Sequence, residues 1–182
     1  MGYRCRWVAM RGRDRADVLA RLKLAVKREL NEGVYDTGVY AVDADGWLVV
    51  IGDGGDFMDR IERADASRLS DGGEVIFLYT DDTPMRAEIT SFVGGEAAWS
   101  LTYDGSDGVA APALSGKLPE VAEGLIAQAR EEQEAAGGAE SGVDHFYDVV
   151  AALGRELVGF RHDETLSAGE HLPILELEDV AR

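Results

Sequence analysis

The pattern of apolar and polar positions predicts β-strands in the first half of the chain. Residues 4–10 are a plausible first strand in which residues 7–10 form a short apolar run, and residues 39–42 and 47–51 form two more apolar runs. Residues 43–46 lie between the last two runs and are of the types that adopt tight reversals, which predicts a β-hairpin. Residues 75–79 are apolar without interruption, so we expect a strand that is buried on both faces.

The stretch 74–103 predicts three strands joined by short turns. A turn over residues 81–84 follows the apolar run, and residues 87–93 alternate partly between apolar and polar. Gly94-Gly95 suits a tight reversal before the next strand over 97–103. Strands connected in this way pair as neighbours, which indicates an antiparallel meander.

Helical spacing predicts helices between and after the strands. Apolar residues four positions apart follow Asp14, a residue type that caps helices, so we expect a helix from Asp14 to about Leu30. The remaining predicted helices span residues 57–69, 119–135 and 144–158, with Gly159 as the C-cap of the last. Residues 104–116 are expected to form a loop, and residues 173–177 an edge strand or a docked extension.

These elements predict an α+β fold. Their order is βαββαβββ followed by two C-terminal helices, which indicates a mostly antiparallel sheet of about six strands with helices on one face. The chain length favours one main core. We expect a main sheet domain over residues 1–135, a flexible linker over 136–142, and a C-terminal helix and extended tail over 143–182 that pack on the same domain.

The charge of the chain is strongly acidic and unevenly distributed. The 35 acidic and 18 basic residues give a net charge of −17, yet the first 35 residues hold nine basic and four acidic ones. The negative electrostatic potential of such a chain repels phosphate backbones and anionic lipids. This disfavours nucleic acids and membranes as partners. It favours a basic protein as the partner. The oligomeric state stays open, with a homodimer among the alternatives.

The cysteine content and the apolar runs indicate the compartment. Cys5 is the one cysteine of the chain, so neither an internal disulfide nor a cysteine-based zinc site can form. This fits a reducing environment. No apolar run approaches the roughly 18 residues of a membrane span, and the N-terminus lacks the apolar stretch of a signal peptide. We therefore expect a cytoplasmic protein.

The sequence motifs do not predict a cofactor or a metal site. The glycine-rich segment 52–57 follows a strand, but aspartates stand where a pyrophosphate would lie, and Phe57 replaces the third glycine. Turn chemistry alone explains three pairs of aspartates, which are Asp43 and Asp45, Asp53 and Asp56, and Asp104 and Asp107.

The densest polar cluster follows the last predicted helix, at Arg161-His162-Asp163-Glu164. A carboxylate can orient an imidazole for proton transfer, so His162 and Asp163 are the candidate catalytic residues. The alternative is a solvated turn in which Arg161 and His162 interact favourably with the C-terminal end of the helix dipole.

Two tryptophans in predicted strands are candidate binding residues. Trp47 and Trp99, together with Arg161 and His162, are the residues that we expect to contact a ligand, and Glu88 is a carboxylate of the same sheet. The alternative for the two rings is core packing, because aromatic residues are favoured in strands.

A string of short segments is spread along the chain: Trp47, Leu69-Ser70, Trp99, Leu118-Pro119, Asp144 and Gly159-Phe160-Arg161-His162-Asp163. This string resembles a group of bacterial proteins to which no activity is assigned. The resemblance implies a bacterial origin and makes Gly159-Phe160-Arg161-His162-Asp163 the segment of most interest. It implies no activity, cofactor or catalytic residue.

The charge favours a non-enzymatic protein-interaction domain. A net charge of −17 on a compact chain is typical of a small acidic inhibitor or immunity-type protein that covers a basic surface. The alternative is a small-molecule sensor or enzyme whose site lies on the aromatic face of the sheet. A deep apolar pocket with convergent polar groups would favour this alternative.

Overall fold

The computed structural model describes residues 4–30, 38–53, 63–106, 108–163 and 174–180. The strands in these ranges are β1 Arg4–Arg11, β2 Leu24–Leu30, β3 Gly38–Ala44, β4 Trp47–Asp53, β5 Glu74–Asp81, β6 Arg86–Val93, β7 Glu96–Asp104, β8 Ala113–Gly116 and β9 Ile174–Asp179. The helices are α1 Arg15–Leu22, α2 Arg63–Leu69, α3 Glu120–Ala135 and α4 His145–Val158, and a short 3-10 turn spans Gly138–Glu140.

The nine strands form one sheet in the order β2-β9-β3-β4-β1-β5-β6-β7-β8. Every neighbouring pair is antiparallel. Alternate residues of the central strand β1 divide between two apolar layers, with Trp7 and Ala9 in one and Val8 and Met10 in the other. Residues of α3 and α4 cover the first layer, and residues of α1 and α2 cover the second.

The predicted fold class is wrong in the number of strands, in their order and in the placement of the helices. The sequence predicts about six strands with helices on one face, whereas the sheet has nine strands and helices on both faces. The additional strand β8 lies in the stretch that we expected to be a loop. The predicted edge strand or extension is β9, which lies inside the sheet between β2 and β3.

The helix expected from Asp14 to Leu30 ends at Leu22. Asp14 caps it as predicted, because its carboxylate accepts the backbone N–H of Asp17 at 2.9 Å. Lys23 then takes the left-handed conformation, with φ of 56°, and the chain continues as β2. A spacing of four residues is close to one helical turn but is also a multiple of two, so the apolar pattern fits a strand equally well.

The tight reversals predicted in the sequence are confirmed. Asp45 and Gly46 join β3 to β4 with φ of 45° and 81°, and Gly94 and Gly95 join β6 to β7 with φ of 59° and 86°. Two consecutive positive φ values define the primed turn that matches the twist of a hairpin. The apolar run in β5 is also confirmed as buried on both faces.

Helix α4 crosses the first apolar layer, and the chain turns back at its end. Asp144 caps the helix by accepting two backbone N–H groups, and Gly159 ends it with φ of 73°, as predicted for this C-cap. Phe160 then packs edge-on against Trp7, with ring centroids 5.9 Å apart. The segment after Gly159 therefore returns over the sheet alongside α4.

The predicted linker, residues 136–142, is bound to α3 through Gln133. The buried amide of Gln133 donates to the carbonyl oxygens of Gly138 at 2.7 Å and Val143 at 3.0 Å. Its oxygen accepts the backbone N–H of His145 at 3.0 Å. These bonds hold the end of α3 against the start of α4, while the domain boundaries and the flexibility of the linker stay predictions.

Candidate functional site

Arg161 joins the returning segment to the first turn of α4. Its guanidinium binds the two oxygens of Asp163 at 2.7 and 2.9 Å and also binds the carboxylate of Asp148. The hydrogen bonds to Asp163 raise the pKa of Arg161, and the same guanidinium lowers the pKa of the Asp163 carboxyl. Because Asp148 lies in the first turn of α4, this clamp fixes the path of the chain after Gly159.

His162 lies against the end of β5. Its Nε2 atom is 3.3 Å from the hydroxyl oxygen of Thr80, which is buried. Burial lowers the pKa of His162, so the neutral imidazole is favoured near neutral pH. Both oxygens of Asp163 bind Arg161, so this carboxylate helps to fix the path of the chain after Gly159. Catalytic roles for His162 and Asp163 stay predictions.

A buried tyrosine, Tyr103, and a partly buried one, Tyr147, extend the polar contacts at this end of the sheet. The hydroxyl of Tyr147 donates to Asp82 at 2.7 Å, and that of Tyr103 donates to Asp144. Burial, with help from these carboxylates, raises the pKa of both hydroxyls, so both remain protonated donors. Sequence reasoning missed these pairs because their partners are 65 and 41 positions apart.

The structure does not bring the two predicted tryptophans together. Trp47 is buried in the first apolar layer, and Trp99 is half-buried against the same layer. Strands β1, β5 and β6 lie between their strands, so about 19 Å separates them at about 4.8 Å per strand. The guanidinium of Arg11 lies 4.4 Å from the centre of the Trp47 ring.

Glu88 lies on the opposite face of the sheet from these rings. Its neighbour Ile89 belongs to the first apolar layer, so Glu88 is on the side of α2. There it pairs with Arg63 at 3.1 Å and accepts the hydroxyl of Thr90 at 2.8 Å. A pocket that combines Glu88 with Trp47 or Trp99 is therefore not formed.

The outer face of α3 carries a stripe of four exposed carboxylates, Glu120, Glu123, Glu131 and Glu134. At about 100° per residue these positions fall within about 80° of arc, and they extend over about 21 Å of the helix. Within the described chain, none of the four makes an ion pair or a side-chain hydrogen bond. We call this set the α3 stripe.

The basic residues of the chain, in contrast, are largely held in internal ion pairs. The carboxylate of Glu176 in β9, for example, forms ion pairs with two residues of the edge strand β2, with Nζ of Lys27 at 2.5 Å and with the guanidinium of Arg28. Other pairs join neighbouring strands, as between Arg11 and Glu74. The side chains engaged in this way are Arg4, Arg11, Arg13, Arg15, Arg21, Lys27, Arg28, Arg63, Arg68, Arg86 and Arg161. Four exposed carboxylates without an ion-pair partner in the described chain therefore lie together on α3, beside the exposed Arg130 of the same helix.

Comparisons of the chain with models of protein families, with curated proteins and with solved structures find no match. Within the ranges that the structure describes, no group of three or more histidine, cysteine, aspartate or glutamate side chains is arranged to hold a metal ion. The same ranges contain no helix long and apolar enough to cross a membrane.

Proposed function

We propose that this chain is a non-enzymatic, cytoplasmic protein-interaction domain of the inhibitor or immunity type, and that α3 binds a basic surface of its partner. The α3 stripe is the observation that carries this proposal. Its four carboxylates are exposed, lie on one side of one helix and lack ion-pair partners in the described chain. Such a surface attracts a positively charged partner over a distance of about one Debye length, ~8–10 Å in physiological salt.

The position of Glu134 on the helix also supports a role in binding. The last turn of α3 has no basic residue. Acidic groups near a helix C-terminus interact unfavourably with the helix dipole, at a cost of about 0.3–1 kcal/mol each. Glu134, which lies in that turn, therefore does not serve the stability of α3, which favours an intermolecular use for it, whereas Glu120 and Glu123 lie in the first turn and interact favourably with the dipole.

The alternative of a small-molecule site on the aromatic face has no specific support in the geometry. Trp47 is buried, and Trp99 lies four strands away from it. The polar cluster around Arg161 consists of bonds that hold the chain in place. The acidic surface therefore supports the better proposal.

Affinity capture from the lysate of the native cell tests this function. The tagged chain should retain a basic protein in stoichiometric amount at low salt and lose it as salt is raised, because exposed charges are screened. Recovery of the chain alone at low salt, or of a partner whose binding is insensitive to salt, would contradict the proposal.

Two quadruple variants sharpen the test. The α3 variant removes the α3 stripe by Glu120→Gln, Glu123→Gln, Glu131→Gln and Glu134→Gln. The control variant removes the same charge from exposed positions elsewhere, by Glu29→Gln, Asp71→Asn, Glu96→Gln and Glu178→Gln. Capture should fail with the α3 variant and persist with the control variant. Equal capture by both would mean that net charge alone, and not α3, determines binding.

A further inference from the structure

Strand β8, Ala113–Gly116, ends the sheet with one side of its backbone free. Within the described chain it pairs with β7 alone. In an antiparallel pair, alternate residues direct both their N–H and their C=O groups away from the neighbouring strand, so about half of β8 offers these groups outward. All four residues are exposed, and no further hydrogen bond from the described residues reaches them. This edge can therefore accept an additional strand.

The opposite edge strand, β2, carries the features by which edge strands avoid pairing. Its register against β9 shifts between Val26 and Arg28, and Lys27 and Arg28 place two exposed positive charges on it. Bulges and charged side chains of this kind protect a sheet edge. Strand β8, in contrast, has a regular register against β7 and contains no charged residue. Of the two edges, β8 is therefore the one that is open to pairing.

Helix α3 lies on the β8 side of α4. On α4, Gly154 faces Trp7 of the central strand β1, whereas Ala152 lines the contact with α3. At about 100° per residue these two positions are about 160° apart around the helix, so α3 lies on the side of α4 away from β1. Since α4 contacts β5, β6 and β7, this is the side on which β7 and β8 lie.

Helix α3 also runs alongside β8, in the opposite direction. Three residues connect Gly116, which pairs with Trp99 of β7, to the start of α3. The last turn of α3 binds the start of α4 through Gln133, and Asp144 there accepts the hydroxyl of Tyr103, near the other end of β7. Because β8 begins at this same end of β7, the helix and the strand lie side by side along the edge.

The α3 stripe is turned away from α4, toward the outside of this edge. The residues of α3 that line the contact with α4 are Leu125, Gln128, Ala129 and Glu132. The stripe is centred about 150° away from them around the helix. Leu114 of β8 points to the same side of the sheet as α3, because it pairs with Leu101 of the first apolar layer, and it is 53% exposed. Every second side chain of a strand added to β8 therefore lies beside Leu114 and the stripe.

We propose that the basic partner adds an extended segment to β8, with lysine or arginine at the alternate positions that face the α3 stripe; this inference rests on the proposed function. Backbone hydrogen bonds to β8 fix the register, and the four carboxylates select positive charge. A second copy of the chain fits this edge poorly. Antiparallel pairing of β8 with β8 brings the stripes of both copies to the same side of the joined sheet, where they repel each other.

Nuclear magnetic resonance of the full chain with a short probe peptide tests the proposal. The probe is the acetylated and amidated heptapeptide KVKVKVK, in which lysine alternates with valine, and its control is the acidic counterpart EVEVEVE. We expect saturable shifts of the backbone amide signals of Ala113–Gly116, and hydrogen exchange of the outward-facing amides there should slow at least about fivefold. The acidic peptide should produce neither effect, because like charges repel across a strand pair.

Two lysine variants provide the matched control, because each adds one positive charge at an exposed apolar residue of an edge strand. Leu114→Lys lies on β8 and should weaken binding of the probe at least about threefold, which is the usual effect of one exposed charge contact. Val26→Lys lies on β2 and should leave binding unchanged. The proposal is overturned if KVKVKVK does not bind, if it binds without slowing exchange at β8, if EVEVEVE binds equally well, or if both variants behave alike.

This test and the capture experiment fail independently. A captured partner that depends on the α3 stripe but is retained equally by the wild-type chain and by Leu114→Lys removes strand addition and leaves the proposed function. Slowed exchange at β8 with the probe, without any captured partner, removes the proposed function and leaves β8 as an edge that accepts a basic strand.

Discussion

At the scale of single residues, two glycines of α4 show how tightly this helix is fitted to its surroundings. A Cβ atom on Gly154 would lie 2.9 Å from the Trp7 ring and 3.0 Å from Leu78, so only glycine lets α4 approach the sheet this closely. Gly159 combines a positive φ with a close approach to Asp45. The sequence predicts the cap at Gly159 from its place after the periodic run, but nothing local marks Gly154.

Gly154→Ala is expected to destabilise the protein by about 1–3 kcal/mol, because the added methyl group overpacks a buried contact. The control is Gly124→Ala on α3, where a Cβ atom would meet nothing within 4 Å. That change should stabilise the protein by about 1 kcal/mol through helix propensity. Urea denaturation of both variants measures the difference, and stabilisation by both would show that α4 does not lie this close to Trp7.

His162 should make stability depend on pH in the mildly acidic range. An unfolded histidine titrates near pH 6.5, and burial lowers the pKa of His162 in the folded chain. The unfolded state therefore binds more protons, and the free energy of unfolding falls as the pH drops below about 6.5. His162→Gln should flatten this slope. Chemical denaturation from about pH 7.5 to 5.5 measures it, above the usual carboxylate range; equal slopes for both proteins would refute the burial of His162.

At the scale of elements, the sequence predicted a turn correctly where its residue types favour one backbone conformation. The hairpin turns at Asp45-Gly46 and Gly94-Gly95 follow from residue types that accept positive φ. Strands β2 and β9 were misjudged because their identity depends on pairing with each other across about 150 residues, as Val26 with Leu177. Propensity and spacing carry no information about such distant partners.

Lys23→Gly distinguishes the observed boundary of α1 from the predicted long helix. Lys23 has φ of 56°, a conformation that costs a non-glycine residue about 1 kcal/mol or more. Glycine at this position should therefore raise the free energy of unfolding by about 1 kcal/mol. In the interior of a helix the same change would lower it by about the same amount, so the sign of the change in thermal or urea denaturation decides between the two structures.

At the scale of the whole molecule, the charge that a partner meets depends on which charged side chains pair with each other in the folded chain. The first 35 residues are rich in basic side chains, yet Lys27 and Arg28 are bound by Glu176, which is 148 or more positions away. The α3 stripe is visible in the sequence as spacings of three and eleven residues. That these four glutamates have no ion-pair partner in the described chain, however, became evident only when the partners of the basic residues were known.

The candidate site was predictable only in part. Of the predicted polar cluster Arg161-His162-Asp163-Glu164, the structure shows that Arg161 binds Asp148 and Asp163, while Glu164 lies outside the described residues. The predicted link between Trp47 and Trp99 depended on strand order, which puts three strands between them.

The central claim is that α3 directs a basic partner to this chain, and the salt dependence of association tests it most directly. The captured partner is mixed in stopped flow with the wild-type chain, the α3 variant and the control variant over a range of ionic strength. We predict that the wild-type and control association rate constants fall steeply with salt, and that the α3 variant is at least about tenfold slower at low salt, with a nearly flat dependence. Identical salt slopes for the α3 and control variants would contradict the account, because the attraction would then arise from the net charge of the molecule and not from α3.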